Sequence, residues 1–92
     1  VIVPSDYKLD ANYPNPFNPT TSFSFTLPID KQVSVKVFDL NGRLVDTLVD
    51  NELRPAGTYS VTWDAEGFAS GTYIYSLEFG NFRQARRMTL LK

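Results

Sequence analysis

Polar and apolar residues alternate with a period of two along most of this chain. From residue 21 to 27, Phe23, Phe25 and Leu27 fall on one parity and Ser22, Ser24 and Thr26 on the other, the signature of a half-buried strand. Val33, Val35 and Val37 alternate with Ser34 and Lys36, after which Phe38 and Leu40 move the apolar parity across. That change predicts a bulge or twist near Phe38. Asn41-Gly42 follows. Two residues tolerant of positive φ between apolar runs predict a type I′ turn, with the returning strand over residues 43–49. The polar stretch 50–55 reads as a connection. Tyr59, Val61 and Trp63 then alternate with Ser60, Thr62 and Asp64, which predicts a central core strand over residues 57–64. A loop over 65–71 leads to Tyr73, Tyr75, Leu77 and Phe79 on one face. Gly80-Asn81 predicts a type II′ turn with Gly at its first central position, and residues 82–91 return as the last strand. A short strand around residues 7–11 completes a set of about seven, and no stretch has a helical period.

Seven short strands separated by turn signals predict an all-β fold, an immunoglobulin-like antiparallel β-sandwich. Its expected interior is Phe23, Phe25, Leu27, Val35, Val37, Tyr59, Val61, Trp63, Tyr73, Tyr75, Leu77, Met88 and Leu90. The one compositional oddity is Tyr13-Pro14-Asn15-Pro16-Phe17-Asn18-Pro19. Each X-Pro bond favours extended backbone and removes a donor, so this stretch reads as a stiff crossing between sheets.

Composition narrows the chemistry. The chain has 92 residues, a formal net charge of −1, no cysteine and no histidine. Thiolate nucleophiles, imidazole bases, disulfides and zinc sites of the usual nitrogen and sulfur ligands are therefore excluded. With 42% hydrophobic residues the composition is that of one ordinary globular domain. No apolar run is long enough to span a bilayer as a helix, and residues 1–6 lack the basic start and apolar stretch of a signal peptide. No membrane insertion is expected. Charge is uneven: residues 80–92 carry Arg83, Arg86, Arg87 and Lys92 without an acid, a local +4 against −5 for the rest. Such a strand is either a charged edge that discourages edge-to-edge pairing or a docking strand for a protein partner. A nucleic-acid partner is not expected, because the overall balance is acidic and the basic patch narrow.

Three candidate sites compete with bland readings. Asp39, Asp46, Asp50, Glu52 and Asp64 offer carboxylates, but near turns or on outward strand faces, which disfavours a glycosidase-like pair. Asp39, Asn41 and Asp64 would suit a hard cation such as calcium, yet their spacing matches no defined loop. Trp63, Tyr73 and Tyr75 could stack on a sugar ring, but all three lie on inward parity. Phe17, Phe68 and Phe82 are the less constrained aromatics, and one of them at the surface would suit a partner contact. No enzyme activity, cofactor or metal follows from these residues.

Four segments carry a resemblance: NYPNPFNPTTSFSFTLP at 12–28, VSVKVFDLNGRLVDTLVD at 33–50, AGTYSVTWDAEGFASGTYIYSLEFG at 56–80, and RRMTLLK at the end. Together they resemble the C-terminal sorting domain of the type IX (Por) secretion system, type A. The likeness runs from about Leu9 to Lys92. The chain is also similar to the immunoglobulin-like domain of the flagellar hook-capping protein family. Pro14, Asn15 and Pro16, Gly57 and Tyr59, Trp63 and Asp64, and Gly71 and Tyr73 match the family's motifs, with mostly architectural roles. The family more often has Gly directly after its Trp-Asp pair. Ala65-Glu66-Gly67 here departs from that and implies a reshaped turn.

The resemblance implies a non-catalytic address label at the end of an exported Gram-negative protein. Residues 1–8 would be a linker from an upstream cargo domain in the same chain, and residues 9–92 the sorting domain. Its partners would be the type IX translocon and sortase components. The cargo would pass through the periplasm to the cell surface, where the label is commonly removed. Recognition is expected at the last strand and terminus: Arg86, Arg87, Met88, Thr89, Leu90, Leu91 and Lys92. The alternative is a carbohydrate-binding or structural spacer module appended to an exported enzyme, and exposure of Trp63, Tyr73 or Tyr75 would favour its carbohydrate-binding form.

Overall fold

The computed structural model describes residues 7–92, so the expectations for residues 1–6 lie outside the described residues. It contains seven strands: β1 (Lys8–Leu9), β2 (Thr20–Leu27), β3 (Lys31–Asp39), β4 (Leu44–Arg54), β5 (Gly57–Asp64), β6 (Gly71–Phe79) and β7 (Phe82–Leu90). They form two antiparallel sheets in the orders β1-β2-β5 and β4-β3-β6-β7. The chain changes sheet after β2, β4 and β5, which gives the immunoglobulin-like sandwich that the strand pattern predicts. Tyr73 adds a familiar feature of that fold, because its hydroxyl donates to the Ala69 carbonyl, 2.7 Å away, and closes the corner before β6.

The alternation of β2 has a direct physical outcome. Phe23, Phe25 and Leu27 are buried, while Ser22 and Thr26 meet Thr62 and Thr58 across the pair at 2.8 and 3.0 Å on the outer face. Between the sheets, Phe23 stacks on Tyr75 at 4.1 Å. Trp63 sits at the other end of the core against Phe17, Phe68 and Tyr73, with ring centroids 5.4–5.8 Å apart. Each large side chain so buried contributes about 1.5–3 kcal/mol.

Several expectations are corrected. β5 is an edge strand, not a central one. Tyr59 and Val61 are consequently half-buried, and only Trp63 of that strand is fully enclosed. The core also holds Leu9, Phe17, Val33, Val49, Ala65 and Phe79. The irregularity expected near Phe38 is present as a register shift between Val37 and Phe38, but it lies in the pairing with β4, and the register of β3 with β6 is unbroken. The edge strand β4 supplies the extra residues at all three of its register shifts against β3. Phe38 keeps the outward parity and stays half-covered because the Arg83 guanidinium lies 5.2 Å from its ring centre. β4 runs on to Arg54 through the polar stretch 50–55, and Asn51 at φ 48° accommodates the distortion.

The two hairpins part company. Asn41-Gly42 does not make a two-residue type I′ turn. The Gly42 N–H donates to the Asp39 carbonyl, so Leu40 and Asn41 are the central residues and Gly42 follows at φ 82°, the three-residue arrangement with a glycine bulge. Asp39 selects it: its carboxylate accepts from the backbone N–H groups of Asn41 and Arg43 and from Arg43 Nε. The Arg43 backbone N–H, with smaller help from its side chain and Asn41, holds the Asp39 carboxyl below the usual carboxylate range. Gly80-Asn81 is the expected two-residue loop between paired Phe79 and Phe82, with φ 52° at Gly80.

Tyr75 yields a pH prediction. Its hydroxyl donates to the Asp10 carbonyl at 2.7 Å, and burial pushes its pKa from 10.0 up to about 12. The folded state thus keeps a proton that the unfolded chain loses. Stability should be complete below about pH 10 and fall as the pH rises towards about 12, and melts across that window should fall less steeply for Tyr75→Phe.

Candidate functional site

The last strand is built with one edge on β6 and one edge outward. Its register with β6 is continuous from Phe79–Phe82 to Gly71–Leu90. In an antiparallel ladder alternate residues turn their N–H and C=O to opposite sides. Thr89 turns outward: its N–H donates to Asn15 Oδ1 at 3.0 Å and its carbonyl accepts from Phe17 N at 2.9 Å. Arg83, Ala85 and Arg87 share that parity, so their backbone groups also point to the outer edge.

The proline-rich segment is a crossing, as its sequence predicts, and also a clamp. Tyr13 pairs with Ser22 of β2, and four residues later Phe17 pairs in parallel with Leu90 of β7. The Leu91 N–H donates to the Phe17 carbonyl at 3.0 Å. Pro19, two residues on, has no N–H with which to extend this pairing past Phe17. Thr21 Oγ1 and Asn12 Nδ2 both donate to the Pro14 carbonyl and hold the segment down. Further along, Arg86 Nε donates to the Leu9 carbonyl at 2.6 Å, and Tyr7 stacks on Phe79 and Phe82 at 3.6 and 5.4 Å.

The expected recognition residues divide by environment. Met88 and Leu90 are fully buried core residues and Thr89 is half-covered. Arg83, Arg86, Arg87, Leu91 and Lys92 are exposed, Leu91 by 54%. Among the described residues, the ion pairs are Lys8–Asp10, Lys36–Glu78, Arg43–Asp39 and Arg54–Glu52, and none involves a basic residue of β7 or the terminus.

A family model described as a secretion system C-terminal sorting domain matches residues 11–90. The chain belongs to this family. It is a type IX sorting domain, a signal that directs an upstream cargo out of the cell. No curated protein matches the chain.

The motif residues of this sorting domain are spread through the fold. Pro14, Asn15 and Pro16 belong to the clamp. Gly57 and Gly71 open β5 and β6. Trp63 and Tyr73 pack together in the core, and Trp63 Nε1 donates to Asp46 Oδ2 at 2.9 Å across the two sheets. Asp46 is therefore a partly covered bridge between sheets, not an outward-facing carboxylate. Asp64 caps the turn after β5 by accepting from Glu66 N at 3.0 Å, and in that turn Ala65 is buried with its N–H on the Pro19 carbonyl. Tyr59 stacks on Phe25 and donates to the Pro55 carbonyl.

Other chemistry finds no support at these positions. Trp63, Tyr73 and Tyr75 are 1%, 7% and 0% exposed, so they offer no ring face to a sugar. Asp39 and Asp64 each serve their own turn. Among the described residues no group of three or more acidic side chains comes together to hold a metal. Phe17 is buried, Phe68 half-buried on Trp63, and Phe82 partly exposed beside Phe79.

Sequence reasoning misses Phe17 as a core residue, whereas Asn15 is among the motif residues expected to be architectural. An aromatic among prolines does not by itself signal burial, since Tyr13 of the same stretch is 82% exposed. Asn15→Ala should speed hydrogen exchange at the Thr89 amide while costing about 0.5–1.5 kcal/mol of stability.

Proposed function

We propose that this domain is read in its folded form, at the exposed end of β7 and the residues after it, by the type IX translocon. Met88 and Leu90 anchor the strand, and Arg86, Arg87, Thr89, Leu91 and Lys92 supply the surface that is read. The observation that carries this reading is that, among the described residues, the exposed cations here have no ion-pair partner, while buried Met88 and Leu90 hold the strand that bears them in the core. The domain does no chemistry of its own: Cys and His are absent from the sequence and Asp39, Asp46 and Asp64 have local structural partners.

In this reading residues 1–8 link a cargo to residues 9–92. The cargo crosses the periplasm, passes the outer membrane and reaches the cell surface, where a sortase cuts within the linker. The test is a periplasmically exported reporter joined to residue 1, in a type IX host and in the same host with its translocon inactivated. Surface reporter in the first host alone, ending within residues 1–6 by mass spectrometry, is the expected result. Equal delivery in both hosts, or delivered reporter that retains the domain intact, contradicts the corresponding part of the reading.

A further inference from the structure

The edges of the two sheets are not equally protected. Edge strands are kept from pairing with other chains by bulges, brevity, charged side chains or cover. β4 has three register shifts and a positive φ at Asn51, and β1 is two residues long. β5 is an eight-residue edge in unbroken register with β2 but carries no cation, whereas β7 is guarded by arginines, which repel a basic strand and attract an acidic one. β7 has no register shift, and its cover is partial: Phe17 and Asn15 engage the backbone at Thr89 and Leu91, while Tyr7 and Leu9 lie against the Phe82 and Arg86 side chains and leave the outward backbone groups of residues 83–87 unpaired among the described residues. Among the described residues no backbone group pairs with the outward edge of Arg83, Ala85 and Arg87.

We infer that residues 83–87 of β7 are an acceptor edge for an extended, acidic strand of another protein. A strand added there meets the N–H and C=O groups of Arg83, Ala85 and Arg87, and its alternate side chains lie on the outer face of the four-stranded sheet. On that face Arg83 and Arg87 flank Ala85, and the Arg83 guanidinium reaches inward over the Phe38 ring, 5.2 Å from its centre. The complementary strand carries a carboxylate opposite Arg87, which has no ion-pair partner among the described residues. A second copy of this chain is a poor occupant, since β7 against β7 sets arginines against arginines. A free polyanion is poor too, because it has no use for the backbone donors and acceptors. The inference deepens the proposed reading by naming the chemistry of the reader. Its test uses the chain alone, so its failure leaves the delivery result standing.

The probe is a short synthetic peptide of alternating Thr and Glu, titrated into the full chain and followed by NMR. The amides of Ala85 and Arg87 should shift and gain exchange protection, and a Thr–Lys peptide should do neither. Ala85→Pro should abolish binding and leave the fold intact, because it deletes an outward N–H that the β6 ladder does not use. Should that variant unfold, Arg83→Gln with Arg87→Gln, both exposed, should weaken binding roughly tenfold. Four results overturn the inference: no shift at residues 83–87; equal binding of both peptides; concentration-dependent pairing of the chain through this edge; or peptide binding that appears only after residues 1–6 are removed. Binding of heparin, unaffected by Ala85→Pro, with no binding of the Thr–Glu peptide, equally overturns it in favour of a simple polyanion patch.

Discussion

Trp63→Ala should destabilise the domain by about 3–5 kcal/mol, the usual loss for a large aromatic truncated in a core. That is a large share of the roughly 5–15 kcal/mol that holds a domain together. The indole is 1% exposed and touches Phe17, Phe68 and Tyr73, so its removal leaves a cavity where the clamp, the turn after β5 and β6 meet. It also removes the one donor to Asp46 Oδ2, a partly covered carboxylate, among the described residues. Trp63→Phe keeps much of the packing and loses only the cross-sheet bond, so it should fall between wild type and alanine. Urea unfolding of the three proteins checks the order. A loss under about 1 kcal/mol for Trp63→Ala would contradict the placement of this residue.

Phe17→Ala should cost a similar amount, about 3–5 kcal/mol, with a more local consequence. The Phe17 side chain is the anchor of the clamp and its backbone is the pairing partner of the end of β7. Once the ring is gone the segment is held chiefly by Asn12, Thr21 and Asn15. Hydrogen exchange should accelerate first at Thr89 and Leu91, ahead of β3, which is central and paired on both sides. Uniform acceleration across all strands would mean that the segment does not specifically secure the terminus.

The contrast between these two residues also marks how far the sequence is legible. Trp63 sits on an alternating strand, so its burial follows from parity. Phe17 lies among prolines, where no periodicity exists, and its burial depends on a crossing whose direction only the assembled sheets define. The same limit explains β5: Tyr59, Val61 and Trp63 alternate as a core strand would, but alternation reports a buried face and is silent on whether a strand has one neighbour or two. Sheet order is a long-range property. The Asn41-Gly42 turn fails for a local reason, because Asp39 supplies a carboxylate that captures the Asn41 and Arg43 amides and favours a longer loop. The basic character of β7 is plain in the sequence, whereas its half-covered edge becomes visible only when the N-terminal segment is laid beside it.

The burial of Met88 and Leu90 shapes how the terminus should be tested. Deleting residues 89–92 would remove Leu90 from the core and release Phe17, mixing loss of fold with loss of signal. Exposed positions avoid this. The decisive measurement is surface delivery of a reporter carrying the intact domain against one carrying Arg87→Glu with Lys92→Glu, in a type IX host. Both residues are exposed and without an ionic partner among the described residues, so the melting temperature should change little. Delivery should drop several-fold at unchanged stability. Delivery equal to wild type would show that the address is read elsewhere in the domain.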